Sequence, residues 1–345
     1  MRVRLWWLIV LFASPGLWAG GIDDVKAALA TPGKAHLEFE VSTGDLKTTI
    51  PLTVITGPEV GPTLLALAGI HGSEYSPIIA TQRLAQELSP EELAGSLILV
   101  HAANLPAYLG RTIYVSPADG KNLNRLFPGD ATGTLSNRIA HVLAEELFPL
   151  ADAVLDMHSG DGNEQLRPSW TGYYAKVGSA EVVAASRALA LAFGLPHIVE
   201  FQWELKGRES AIWAGSAAVA QGIASIDVEA GGMGIIDPLA IEQIRTGVKR
   251  VLAHLGMIEM VFKAPPTPVF IRDRTSIRSP VDGSWNPLVD AGTRVEEGQK
   301  LGVVTDWYGR PVFEAIAPAD GLLLLRLEAP PVRRGETLIM IAKVP

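Results

Sequence analysis

The residues of this sequence best suited to chemistry are two histidines and two glutamates. His71 and Glu74 stand three apart in His71-Gly72-Ser73-Glu74, directly after the apolar run Leu64 to Ala68 and Gly69. In a turn, an imidazole and a carboxylate at that spacing can converge on one ion. His158, in Asp156-Met157-His158-Ser159-Gly160, supplies a second imidazole. Two histidines and a carboxylate form a catalytic zinc set that leaves a fourth position open. The spacing alone is weak, because it recurs in His197-Ile198-Val199-Glu200. That second copy reads as a strand, where residues three apart point to opposite faces and cannot readily share one ion. By itself His71 also fits a hydrogen-bonded turn histidine, and Asp156 fits either an acceptor for a ligand ring N–H or a strand-end carboxylate binding backbone amides.

A metal lowers the pKa of a water it binds to about 7, and such a water needs a base beside it. Glu229 in Val228-Glu229-Ala230-Gly231-Gly232 is the candidate; it can take the proton and hand it to a leaving amine. An ordinary strand-end ion pair is the competing role. Asn124 and Arg125 add an amide donor and a planar guanidinium fork suited to a substrate carboxylate. Arg111 and Arg167 are further cations on loops leaving the same strands, either of which could steady an oxyanion.

These residues require a frame that brings strand ends together. Thr63 to Ala68, Ser96 to Ala103, Ala153 to Met157 and Ile223 to Val228 read as strands, separated by helical patterns at Pro77 to Leu88, Thr134 to Leu147 and Ala180 to Phe193. Strands alternating with helices predict an α/β layered domain on a largely parallel or mixed sheet. Ligands in such sheets gather at the carboxyl ends of the strands, where His71, His158 and Glu229 all fall. The segment Asn104 to Gly133 is too long for a passive connector and is expected to be functional. Lys263 to Pro268 reads as a linker, leaving an α/β domain at 20–262 and a small β-rich domain at 269–345.

Composition narrows the function. The 345 residues are 48% hydrophobic, enough for a sizeable core. Cysteine is absent, which excludes it as nucleophile or ligand. Arg2 and Arg4 ahead of Leu5 to Ala13, with Ala19-Gly20 after a Ser-Pro-Gly break, form a signal-peptide layout over residues 1–19. The apolar run is about half of the roughly 20 residues a membrane span needs. Export, to the periplasm, is therefore expected, with no membrane attachment once the leader is gone. The mature chain would be more acidic than the overall net charge of −8, so a nucleic-acid partner is not expected. The sequence leaves the oligomeric state open.

Taken together and in order, His71-Gly72-Ser73-Glu74, Asn122-Leu123-Asn124-Arg125 with Phe127-Pro128-Gly129, Asp156-Met157-His158-Ser159-Gly160 and Val228-Glu229-Ala230-Gly231-Gly232 resemble the succinylglutamate desuccinylase/aspartoacylase family, relatives of the zinc carboxypeptidases. The resemblance implies a zinc-carboxypeptidase-like α/β fold with a C-terminal β domain and one zinc ion. It implies His71, Glu74 and His158 as ligands, Glu229 as base and acid, and Asn124 and Arg125 as holders of a substrate carboxylate. It also implies an arginine that polarises the scissile carbonyl, for which Arg111 is the nearest candidate. The run Ala291 to Lys300 is similar to biotinyl/lipoyl-type domains, but Lys300 and Lys343 do not sit in a cofactor-bearing hairpin, so the β unit reads as a structural or site-covering module.

The leading expectation is an exported zinc-dependent hydrolase cleaving an amide of a small N-acyl amino acid. The alternatives are a zinc carboxypeptidase or amidase acting on short cell-wall peptides, and a non-catalytic binding protein. A cleft without a wall from the β unit would favour peptides; a closed pocket would favour the small substrate.

Overall fold

The computed structural model describes residues 18–344; most of the signal-peptide segment lies outside the described residues. In chain order the strands are β1 (Trp18–Gly20), β2 (Gly33–Thr43), β3 (Leu46–Thr56), β4 (Glu59–Ala68), β5 (Ala94–Val100) and β6 (Ala153–His158). They continue with β7 (Glu164–Leu166), β8 (Trp170–Tyr174), β9 (His197–Phe201), β10 (Ala224–Glu229) and β11 (Val269–Ile271). All but β7 form one ten-stranded mixed sheet in the order β1-β2-β3-β5-β4-β6-β10-β8-β9-β11. The centre of it, β5-β4-β6-β10, is parallel.

The residues of β4 explain its place. Leu64, Leu65, Ala66, Leu67 and Ala68 are all fully buried, as a strand covered on both faces must be. Leu64, Ala66 and Ala68 pack with the helices Tyr75–Glu87, Ala180–Phe193 and Pro238–His254, whereas Leu65 and Leu67 meet the layer containing Leu135–His141 and Ala214–Ala220. Period-two alternation thus divides one apolar run between two cores. Each parallel return crosses through a helix, so the carboxyl ends of β4, β6 and β10 lie side by side on one edge.

The C-terminal β unit holds β12 (Arg274–Arg278), β13 (Gly283–Pro287), β14 (Arg294–Val295), β15 (Lys300–Thr305), β16 (Pro311–Ile316), β17 (Gly321–Leu327), β18 (Pro331–Val332) and β19 (Thr337–Ala342). Two small sheets enclose Trp285, Leu301, Val304, Leu323 and Leu338. The two units exchange strands. Val269–Ile271, expected at the start of the β unit, instead extends the large sheet beside β9, while β7 leaves the α/β unit and pairs antiparallel with β17. These exchanges carry part of the β unit to the same sheet edge as the candidate ligands.

Candidate metal centre

The turn after β4 bends tightly because glycine permits it. Gly69 has φ +75, and a Cβ on Gly72 would come within 2.1 Å of the Ala107 backbone. That close approach sets His71 and Glu74 against the helix Leu105–Gly110. The Glu74 carboxylate then spans two rings: Oε1 lies 2.8 Å from His71 Nδ1 and Oε2 lies 2.9 Å from His158 Nδ1. The opposite nitrogens meet further polar groups, the Asn124 amide nitrogen approaching His158 Nε2 at 3.4 Å. His71 Nε2 is 3.1 Å from Asn122 Oδ1, and His158 Nε2 is 3.0 Å from Asp156 Oδ1, at ion-pair distance but off hydrogen-bond alignment. A carboxylate only accepts, so both Nδ1 atoms face Glu74 as donors, and an ion held by the three side chains would take the place of those hydrogens.

His71, Glu74 and His158 offer ligand atoms all within 4.8 Å of one another. Burial would raise the Glu74 carboxyl, but His158 and His71 on either side overcome that and bring it down to about 2. A carboxylate kept charged between two imidazoles, in a buried position, is a donor set that fits a divalent metal ion.

Glu229 is delivered by register. It stands opposite His158 across β10 and β6, and Asp227 stands opposite Asp156 two residues earlier. Burial pushes the Glu229 carboxyl well above the ordinary range, Glu74 and Glu164 adding to the rise while His158 opposes it. Its Oε2 is buried without a hydrogen-bond partner among the described residues. A buried acceptor left unpaired is costly, and Glu229 lines a cavity of about 430 Å³ together with His71, Glu74, His158, Asn124 and Arg125. Asn124 is fixed from behind, its Oδ1 accepting from the Ala214 N–H at 2.9 Å. Arg125 sits over the Trp213 ring, 5.7 Å from its centroid.

Arg111 and Arg167, expected near the reacting carbonyl, do not line this cavity. Arg111 is the left-handed C-cap of the helix Leu105–Gly110, φ +54, and its exposed side chain lies with Tyr75 and Ile236 over a different hollow. Arg167 is drawn away because its backbone N–H bonds Leu324 O in β17 and its half-exposed guanidinium pairs with Asp237 at 3.2 Å.

Other groups stand where the sequence gave no expectation. Tyr114 holds a left-handed backbone at φ +59, uncommon for a bulky residue. Its N–H donates to Asp161 Oδ2 at 2.7 Å, and Asp161 Oδ1 accepts from Ser73 Oγ. The phenol donates to Glu164 at 2.8 Å, and the ring meets His71 edge-on. Asp227, Tyr174 and Arg274 also face the cavity; Tyr174 donates to Asp227 at 2.8 Å. A signal for Asp227 was available: Asp156-x-His158 and Asp227-x-Glu229 repeat one period-two pattern at two strand ends. Arg274 had no such signal, because it arrives from the other unit.

Comparison with known proteins gives the family of the chain. The model of the succinylglutamate desuccinylase/aspartoacylase catalytic domain matches residues 60–255. The N-alpha-acetyl-L-2,4-diaminobutyric acid deacetylase of Halomonas elongata is 33% identical over 302 residues, 86% of either chain. A succinylglutamate desuccinylase/aspartoacylase structure from Rhodobacter sphaeroides superposes with a TM-score of 0.81 at 28% identity, covering 92% of this chain and 98% of that one. The product-bound ectoine utilization protein EutE (DoeB) from Ruegeria pomeroyi gives 0.81 at 29%, covering 91% and 96%. On the match to its central 196 residues and on these relatives, the chain belongs to the succinylglutamate desuccinylase/aspartoacylase family.

Proposed function

We propose that this protein is a zinc-dependent deacylase that hydrolyses the amide bond of a small N-acyl amino acid. One observation carries the reading: Glu74, its charged carboxylate shared by His71 and His158, lines the same cavity as Glu229, whose Oε2 is unpaired among the described residues. His71, Glu74 and His158 would hold the ion. Bound there, zinc would act as a Lewis acid on the scissile carbonyl and acidify a water molecule.

The chain's own residues do the rest. Arg125 and Asn124 take the substrate carboxylate in a charge-assisted contact, and the Ala214 amide behind Asn124 keeps that pair from swinging. Glu229 accepts the water proton at Oε2 and returns it to the leaving amine. Burial holds the Glu229 carboxyl well above the ordinary carboxylate range, so a proton taken from the water stays on it until the leaving amine receives it.

The small substrate is preferred to a cell-wall peptide because the β unit walls the cavity: Leu324, Leu325 and Met340 line it. The Halomonas relative acts on a substrate of this size. Action outside the cytoplasm is part of the same proposal, supported by the signal-peptide layout of residues 1–19. The test is hydrolysis of a panel of N-acyl amino acids and of muropeptides by mature protein carrying about one zinc per chain, before and after chelation. Amine release from the small panel, abolished by chelator and restored by zinc, is expected. Release from muropeptides alone would transfer the assignment to the peptidase reading.

A further inference from the structure

Tyr114 holds a backbone that its side chain disfavours. A φ of +59 is in the left-handed region, which a bulky residue keeps only where its surroundings over-determine it. Asp161 does that here. Its Oδ2 accepts the Tyr114 N–H at 2.7 Å, while Oδ1 accepts the Gly162 N–H at 2.7 Å and the Ser73 hydroxyl. Ser73 stands between His71 and Glu74 in the chain, so one buried carboxylate fixes both the ligand turn and the tyrosine.

That backbone sets the ring beside the candidate ligands. Tyr114 lines the cavity and meets His71 edge-on, with ring centroids 6.4 Å apart. Its hydroxyl donates to Glu164 Oε1 at 2.8 Å, and Glu164 Oε2 accepts the Asp161 N–H at 3.1 Å. Burial and the Glu164 carboxylate push the phenol well above its ordinary value, so it keeps its proton and stays a donor. A hydroxyl hydrogen turns about its C–O bond without moving the ring, so the bond to Glu164 does not commit it. Neighbouring groups are engaged elsewhere. Asn122 Oδ1 accepts the Asn124 N–H at 2.9 Å, Tyr174 donates to Asp227, and Arg111 and Arg167 lie outside the cavity.

We propose that Tyr114 is a catalytic residue whose phenol O–H bonds the oxygen of the scissile carbonyl as negative charge builds there, the part expected of Arg111. This rests on the deacylase reading and adds a group to it. Water adds its oxygen to the carbonyl carbon, one of its protons passes to Glu229, and the C=O π pair moves onto the oxygen that the phenol faces. When that pair returns, the C–N bond breaks and the amine nitrogen takes the proton from Glu229. The second water proton leaves with the acid product, and Tyr114 keeps its own throughout. The loop that carries Tyr114 also carries Asn124 and Arg125, so one segment spaces the carbonyl from the carboxylate of the substrate.

The test is Tyr114→Phe, which keeps the ring against His71 and removes the hydroxyl. In the zinc protein kcat should fall by about 10²-fold or more, the worth of one donor to a developing oxyanion, with KM little changed. Metal content and thermal midpoint should stay as in the wild type. Calorimetry gives a readout free of turnover. Methylphosphonate, tetrahedral like the reacting carbon, should bind about tenfold more weakly to Tyr114→Phe, and planar acetate should lose less. Unchanged kcat, a rise in KM alone, or equal weakening of the two anions would overturn the proposal. Metal loss in Tyr114→Phe would also overturn it, assigning the hydroxyl to support of His71. If the wild type hydrolyses no N-acyl amino acid, the deacylase reading has failed separately. Tyr114 as an oxyanion donor then survives only if methylphosphonate still weakens about tenfold and acetate less.

Discussion

The chain contains His-x-x-Glu twice, and the two copies end in different chemistry. His71 and Glu74 lie 2.8 Å apart, in a turn that glycine allows to fold against Ala107. His197 and Glu200 lie along β9, where the alternation of a strand sends them to opposite faces. Glu200 bonds the Tyr173 hydroxyl and Arg272, and His197 Nδ1 is buried without a hydrogen-bond partner among the described residues. Identical spacing thus gives a converging donor set in one place and an ion pair on the last strand but one of the sheet in the other. Backbone geometry decides between them, and residue identity alone does not.

The largest expected effect breaks the first copy. His71→Ala removes one of three ligands, so metal measured by mass spectrometry should fall from about one per chain to near none. Turnover should drop more than about a thousandfold, because a metal of this kind supplies several kcal/mol of transition-state stabilisation. His197→Ala should leave both unchanged. Equal metal loss in the two variants would refute the contrast. Glu229→Gln comes next: metal stays bound while kcat falls by ~10²–10⁴-fold, the usual worth of a positioned general base. Retained activity would move the base role to another cavity carboxylate, Glu164 or Asp227.

A third histidine sharpens the comparison through its neighbours. His101 faces hydroxyls, with Nε2 2.7 Å from Thr53 Oγ1 and Nδ1 3.1 Å from Thr81 Oγ1. No carboxylate offsets its burial, which, with His36 nearby, lowers it to about 4. The unfolded chain, with an ordinary value of 6.5, binds more protons between those limits. Stability contributed by neutral His101 is therefore complete above pH 6.5 and lost as pH falls toward 4, by up to about 3 kcal/mol. Denaturant midpoints across that range should decline in the wild type and decline less in His101→Gln.

What the sequence made legible follows the same division. The α/β alternation, the strand ends and the residues His71, Glu74, His158 and Glu229 are local features, each fixed by a run of apolar residues and the turn after it. Arg111 and Arg167 were placed near the carbonyl by proximity in sequence. Both were displaced by capping and by pairing with β17, neither of which leaves a short-range signature. The strand exchange between units was equally hidden, since no strand was expected at β7 and β11 was expected to open the β unit. Arg274 reaches the cavity only because of such long-range pairing.

The smallest effect tests the second copy directly. Glu200 is buried, yet its partner Arg272 has a side chain 70% exposed, so solvent screens much of their attraction. The Tyr173 hydroxyl contributes a hydrogen bond from within the sheet. Glu200→Gln keeps an acceptor for that hydroxyl and loses only the screened charge, and should lower stability by about 1 kcal/mol or less. Metal content and kcat should not move, because β9 presents the carboxylate away from the edge shared by β4, β6 and β10. A shift in metal content with Glu200→Gln would mean that the two copies communicate through β8, which pairs with both β9 and β10. Their independence would then fail even though their geometry is as described.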